Sequence, residues 1–206
     1  MRDLIDGWQW VFASKVIVSA VLIMSVFEFG AFAMRQTVNL QLVSNGVDPL
    51  LISLVNVVSG VATLVGSLFS SRLCDRIPVG RGIVCILAFT AIGFLPLVFS
   101  DAYAAVILNS VLTSLPMPLF AALVNGFVFS KTPVDRQGRT RAAVMTTIML
   151  FGSMSGAVAG ELLPRVGFHG TVILMMGLVV IAVVLAAINP LIRAIPASPH
   201  WDEVSL

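Results

Sequence analysis

A charged and polar stripe lies on one apolar segment near the start of the sequence. It comprises Ser25, Glu28, Phe32, Arg35 and Asn39, which follow one another at steps of three and four residues and therefore share one helical face. A carboxylate placed within the hydrocarbon core of a membrane costs free energy, so it normally faces the interior of a helix bundle or a water-filled cavity. Glu28 is the leading candidate for binding a proton or a cationic substrate. The alternative is a structural ion pair with Arg35 or a neighbouring helix.

Further polar side chains occur at isolated positions in the apolar segments. We predict a substrate or proton pathway formed by Glu28, Arg35, Asn56, Asn109 and Asn125. The alternative for each Asn is a hydrogen bond between helices, which is at least as common as a ligand contact. The alternative for Arg35 is a side chain that extends to the outer membrane surface.

Six long apolar segments must position these residues. About 20 apolar residues are needed for one helix to cross a hydrocarbon core of about 30 Å. The chain has 58% hydrophobic and only 11% charged residues, and its mean hydropathy of +1.03 excludes a soluble globular domain. The sequence therefore predicts an all-α integral membrane protein with six transmembrane helices. The segments span residues 16–34, 50–71, 82–99, 102–130, 142–163 and 170–192.

The basic residues predict the orientation of these helices. With both termini in the cytoplasm, ten of the 12 basic residues lie on the inner side, and only Arg35 and Arg165 lie near the outer side. The ten are Arg2, Lys15, Arg72, Arg76, Arg81, Lys131, Arg136, Arg139, Arg141 and Arg193. We expect a multi-pass protein of the cell membrane. It has a cytoplasmic N-terminal segment (1–15), a six-helix domain (16–193) and a cytoplasmic tail (194–206).

A row of small residues marks the fifth segment. Gly152, Gly156 and Gly160 follow at steps of four residues, and such a row lets another helix approach closely. The fourth segment contains Pro116 and Pro118, which predict a kink or a local break.

The sequence has no signature of an enzyme or of a metal site. It contains no His-Glu-x-x-His motif, and the run Gly152–Gly156 has Met where a nucleophile turn needs Ser. We expect no enzymatic activity, no cofactor, no metal and no nucleic acid partner. The expected partners are the lipid bilayer and a small-molecule substrate.

Two loops carry a family resemblance. In the loop between the second and third segments, Asp75, Arg76, Gly80 and Arg81 match a degenerate Gly-x-x-x-Asp-Arg-x-Gly-Arg pattern. The chain resembles the C-terminal six-helix half of a major facilitator superfamily transporter. The loop Thr132–Arg139 is similar to the Thr-Pro-x-x-x-x-Gly-Arg segment of the drug-exporter branch, which includes macrolide and siderophore efflux proteins.

The resemblance implies half of a twelve-helix secondary transporter that works by alternating access. The implied activity is efflux of a small amphipathic molecule, coupled to the proton gradient through Glu28, the mid-membrane carboxylate. The implied partner is a second six-helix half, either a missing N-terminal half or a second copy. The resemblance also implies that charged residues of the two inner loops form cytoplasmic gates, namely Asp75, Arg76, Arg81, Asp135, Arg136 and Arg139.

Three other classes of protein remain open from the sequence. The first is a six-helix permease subunit driven by a separate ATPase, although the short loop 72–81, broken by Gly and Pro, offers little for docking one. The second is a membrane scaffold or receptor that transports nothing, for which the Glu28 stripe would be unneeded. The third is a membrane-embedded enzyme, which the missing catalytic sets disfavour.

Overall fold

The computed structural model describes residues 15–74, 76–132 and 137–195. This part of the chain is helical and contains no strand. Its elements are α1 (Lys15–Ser44), α2 (Pro49–Cys74), α3 (Val79–Gly93), α4 (Leu95–Phe99), α5 (Tyr103–Ser114), α6 (Met117–Lys131), α7 (Gln137–Ile188) and α8 (Pro190–Arg193).

Five helical stretches of the described residues are long and apolar enough to cross a membrane. They are Val18–Ser44, Pro49–Cys74, Val79–Phe99, Tyr103–Phe127 and Gln137–Ile188. The all-α membrane architecture predicted from composition is therefore confirmed. The first helix is longer than predicted, because α1 continues beyond residue 34 to Ser44.

The longest element, α7, contains a break in its backbone. It has 52 residues, which as one straight helix would measure about 78 Å, more than twice the thickness of the hydrocarbon core. At Gly167 the backbone adopts φ 73° and ψ 177°, which is not helical. A residue with a Cβ rarely adopts a positive φ, so glycine suits this break. It lies where the sequence predicts a turn between the fifth and sixth segments.

The core of the bundle forms mainly where α1 packs against α7. Phe27 and Met34 of α1 are fully buried, as are Val172 and Val179 in the second part of α7. The most apolar window of α1 is 44% buried, whereas that of α2 is only 11% buried. Helix α2 therefore lies at the edge of the described bundle.

The fourth apolar stretch is interrupted where the prolines predict a break. Helix α5 ends at Ser114, a turn follows at Leu115 and Pro116, and α6 begins at Met117. Proline has no amide N–H and cannot donate to the carbonyl four residues earlier, so the helix ladder fails here. Just before the break, the hydroxyl of Ser114 forms a 2.7 Å hydrogen bond with that of Ser59, which ties α5 to α2.

The start of α3 contacts the C-terminal end of the described chain. The Gly80 amide donates a 3.2 Å hydrogen bond to the carbonyl of Ile195. A Cβ added to Gly80 would lie 2.0 Å from the carbonyl oxygen of Ile192, so only glycine allows this approach. This contact places the α2–α3 connection and the end of α8 on the same side of the bundle.

Candidate functional site

A cavity next to Glu28 is the strongest candidate for a functional site. It has a volume of about 360 Å³ and lies between α1, α6 and the first part of α7. Glu28, Asn125 and Arg141 are its polar members. The remaining lining side chains are apolar: Met24, Phe32, Met117, Phe120, Ala121, Val124, Val144, Met145 and Met149. The cavity therefore joins one carboxylate and two other polar groups to an adaptable apolar wall.

The Glu28 carboxylate interacts loosely with a guanidinium. The distance between its Oε2 and Nη2 of Arg35 is 3.7 Å, within the range of an ion pair but longer than a hydrogen bond. The Glu28 side chain is only 20% exposed. The carboxylate is thus largely shielded, yet Arg35 leaves it free to take a further donor from the cavity.

Arg35 reaches back along α1. Its guanidinium carbon lies 4.3 Å from the centroid of the Phe32 ring, a distance suited to a cation–π contact. The side chain is turned toward Glu28, with which it forms the ion pair that the sequence left open.

Two glycines define how α1 and α7 pair. A Cβ on Gly152 would lie 3.2 Å from the Phe32 ring, and a Cβ on Gly156 would lie 3.4 Å from the Gln36 amide nitrogen. From Gly152 to Gly156 the contacted residue on α1 changes from Phe32 to Gln36, which is also four residues later. Helix α1 and the first part of α7 therefore run in the same direction. This register places Arg141 about seven residues from the level of Glu28, or about 10 Å along the helix axis.

The two cations therefore lie on opposite sides of Glu28 along the bundle. Arg35 is seven residues after Glu28 on α1. Arg141 lines the cavity on α7, about seven residues before the level of Glu28. A long Arg side chain can span much of such a distance. Arg35 forms the ion pair with the carboxylate, and Arg141 lines the other end of the same cavity.

The glycine row of α7 does not pack uniformly. The Cβ of an added side chain would meet α1 at Gly152 and at Gly156, whereas nothing lies within 4 Å of the corresponding position at Gly160. Close packing is thus limited to the part of the row beside Phe32 and Gln36.

This difference gives a matched pair of variants. Gly152→Leu is expected to displace the Phe32 ring and to destabilise the protein by about 1–3 kcal/mol, the usual effect of overpacking. Gly160→Leu adds the same side chain to open space and should leave thermal unfolding in detergent nearly unchanged. Equal melting temperatures for the two variants would contradict the close contact between α1 and α7.

The predicted asparagines have three different placements. Asn125 lines the Glu28 cavity. Asn109 is buried, and its Nδ2 donates a 2.9 Å hydrogen bond to the carbonyl of Gly93, where α3 ends. Asn56 is exposed on α2 and does not line this cavity. Asn109 therefore shows the helix-to-helix hydrogen bond that was the alternative to a place on the pathway.

Ser25, the first residue of the polar stripe, lies one turn before Glu28. Its side chain is 3% exposed, and its hydroxyl is a buried oxygen without a hydrogen-bond partner in the described part of the chain. A buried hydroxyl without a partner costs free energy. It is a buried polar group on the helical face that carries Glu28.

The predicted gating residues are described only in part. Asp75, Asp135 and Arg136 lie outside the described residues. Arg76 and Arg139 are exposed, and Arg81 is exposed beside a second cavity that does not include Glu28.

Sequence reasoning assigned Arg141 to the topology of an inner loop and missed its place in the cavity. A signal was available, because Arg141, Met145 and Met149 follow at steps of four residues and lead to Gly152. That row shares one helical face. Within the described ranges, no group of His, Cys, Asp and Glu side chains could hold a metal ion.

Comparison with known families gives one match. The family model described as Major Facilitator Superfamily matches residues 21–203, which is most of the chain. No curated protein matches the sequence.

Proposed function

Because this chain belongs to the Major Facilitator Superfamily, we propose that it forms one six-helix half of a secondary active transporter that exports a small amphipathic molecule in exchange for protons. Membership establishes a multi-pass membrane transporter in general terms. The single observation that carries the finer proposal is the Glu28 cavity, which combines a shielded acid with an apolar wall.

The proposal includes six spans with both termini in the cytoplasm of the cell. The break at Gly167 supports a division of α7 into a fifth and a sixth span. The concentration of basic residues on one side supports the orientation. The contact between Gly80 and Ile195 agrees with it, because it brings an inner loop and the end of α8 together.

The lining of the cavity favours an amphipathic substrate. Four methionines, Met24, Met117, Met145 and Met149, border it together with two phenylalanines. Methionine is flexible and polarisable, so it adapts to ligands of different shapes. A volume of about 360 Å³ suits a small molecule. We expect a substrate with an apolar body and a positively charged or hydrogen-bonding group that reaches Glu28.

Glu28 is the group we assign to proton coupling. Its carboxylate can hold Arg35, a proton or a substrate cation, and it cannot satisfy all three at once. Protonation removes the charge that attracts both cations, so proton binding and substrate binding exclude each other at this position. Antiport follows from that competition.

A second six-helix half would complete the cavity. Met149 and Leu150 on α7 and Leu54 on α2 are exposed. We propose that a missing N-terminal half or a second copy covers this surface. Alternating access then arises as the halves rock about the site.

The inner loops are proposed as the cytoplasmic gate. Asp75 and Asp135 would pair with arginines across the inner face, and substrate or protons would weaken those pairs. The candidate arginines are Arg76, Arg81, Arg136 and Arg139.

The function is tested by reconstitution into proteoliposomes without ATP. The chain is purified alone and after co-expression with a candidate six-helix N-terminal half, and uptake of a lipophilic cationic dye is measured under an imposed pH gradient. Gradient-driven uptake is the expected result, either for the chain alone as a dimer or only with the second half. Uptake that requires ATP would instead indicate a permease subunit, and binding without flux would indicate a scaffold or receptor.

A further inference from the structure

A second cavity opens on another side of the bundle. It has a volume of about 560 Å³ and is bordered by α2, by the first part of α3 and by the break between α5 and α6. Its polar side chains are Arg81, Ser70 and Cys85. The Ser70 hydroxyl is already used, since it donates a 2.8 Å hydrogen bond to the carbonyl of Ser67. The cavity is therefore an apolar cleft with one positive charge, at Arg81.

The charge lies at one end of the cleft. Arg81 is near the start of α3, beside Leu73 at the end of α2, whereas Phe89 and Leu115 line the opposite end. Eight residues separate Arg81 from Phe89 on the same helix, a rise of about 12 Å. The cleft runs from a charged end near the connection between α2 and α3 toward the middle of the bundle.

An adjoining cavity lengthens this cleft. It has a volume of about 310 Å³, and its lining is wholly apolar. Val65 and Leu115 border both cavities, so the two lie next to each other along α2. Together they extend along α2 from Val57 to Leu73, a rise of about 24 Å. We call this row of two cavities the groove; it has a cationic group, Arg81, at one end only.

We propose that this groove binds an anionic phospholipid of the bilayer, with its phosphate at Arg81 and one acyl chain in the apolar cleft. The apolar lining and its length along α2 fit a hydrocarbon chain, and the single guanidinium fits one phosphate, for which Arg supplies paired donors. Within the described residues Arg81 forms no ion pair. Arg72 and Arg76 are also exposed near this end, and basic residues next to a membrane attract anionic lipids.

The groove is separate from the Glu28 cavity and shares with the proposed transport machinery the candidate gating residue Arg81. None of the residues that line the groove borders the Glu28 cavity. The proposal therefore does not depend on the identity of the substrate or on proton coupling. Cys85 lies in the cleft and is exposed, so its thiol reports on what occupies the cleft.

The test follows alkylation of Cys85 by a neutral, membrane-permeant maleimide. The full chain carrying Cys74→Ser, so that Cys85 is the remaining thiol, is reconstituted in phosphatidylcholine vesicles with increasing amounts of phosphatidylglycerol of matched chains. We expect phosphatidylglycerol to slow the reaction. Arg81→Gln should raise the phosphatidylglycerol fraction needed for half-maximal protection about fivefold, the effect expected for one basic residue near an anionic lipid surface.

Two variants complete the experiment. Arg81→Lys keeps the charge and should retain most of the protection, while Arg165→Gln removes an exposed arginine near the break at Gly167 that does not line the cleft and should have no effect. Equal rates for wild type and Arg81→Gln in phosphatidylcholine alone show that the variant is folded. Protection that is independent of phosphatidylglycerol, or that is unchanged in Arg81→Gln, would overturn the proposal. An unreactive Cys85 in phosphatidylcholine alone would also overturn it, because protein or neutral lipid would then fill the cleft.

Discussion

Replacing Glu28 by Gln is expected to reduce gradient-driven transport to background while the protein still inserts into the membrane. The amide keeps the size of the side chain and can still donate or accept hydrogen bonds, but it cannot take up a proton or attract a cation. It also removes the partner of Arg35, which lies 3.7 Å away. Both the binding of a cationic substrate and its competition with protons are lost.

The measurement is uptake under a pH gradient in proteoliposomes, with dye binding measured in parallel. Glu161→Gln is the matched control, because Glu161 is an exposed acid on α7 that pairs with Arg165 one turn later. We expect that control to transport at the wild-type rate. Transport by Glu28→Gln with a normal dependence on pH would show that coupling does not pass through Glu28.

The second large effect is expected at Gly66 on α2. A Cβ at this position would lie 2.0 Å from the carbonyl oxygen and 3.0 Å from the carbonyl carbon of Leu115. Those atoms belong to the backbone at the break between α5 and α6, so they cannot move aside as the tip of a side chain would. Gly66→Ala should force α2 away from this break and reduce the free energy of unfolding by more than the usual overpacking cost of about 1–3 kcal/mol. The melting temperature of the purified protein should therefore fall strongly.

Gly60 provides the control on the same helix. Nothing lies within 4 Å of a Cβ added at Gly60, so Gly60→Ala should be neutral or stabilising by up to about 1 kcal/mol, since Ala favours the helix over Gly. A Gly66→Ala variant as stable as Gly60→Ala would mean that α2 does not pack against Leu115 as described. Gly80→Ala, which would meet the Ile192 carbonyl, should behave like Gly66→Ala.

The helical layout could be predicted because the bilayer restricts the choices. Backbone groups in hydrocarbon must be paired within a helix, so apolar segments of sufficient length identify the membrane helices. Pro116 and Pro118 indicated the interruption of the fourth stretch by the same logic. The bounds were less accurate. Residues 35–44 are too polar to count as an apolar span, yet they continue α1 beyond the core of the predicted segment.

The composition of the site could be predicted only in part. The spacing of the polar stripe identified the face of α1 that carries Glu28, but a spacing says nothing about which other helix that face meets. Asn125 borders the cavity and Asn109 does not, although both occupy the same apolar segment. That difference arises because the break at Leu115 and Pro116 separates α5 from α6 and so lets the two helices take different neighbours.

Arg141 shows a second limit of the sequence. Its place in the cavity depends on the parallel register between α1 and α7, which Gly152 and Gly156 set through their contacts with Phe32 and Gln36. A glycine row predicts close packing without naming the partner helix. The sequence therefore indicated that α7 packs tightly and could not indicate that its arginine lines the same cavity as Glu28.

The most direct test of proton-coupled export is to reverse the pH gradient across proteoliposomes that contain the active form of the protein. The account predicts that the net flux of the cationic dye reverses with the gradient, that protons move in the opposite direction to the dye, and that Glu28→Gln abolishes both fluxes. A dye flux that keeps its direction and rate when the gradient is reversed would contradict exchange of substrate for protons.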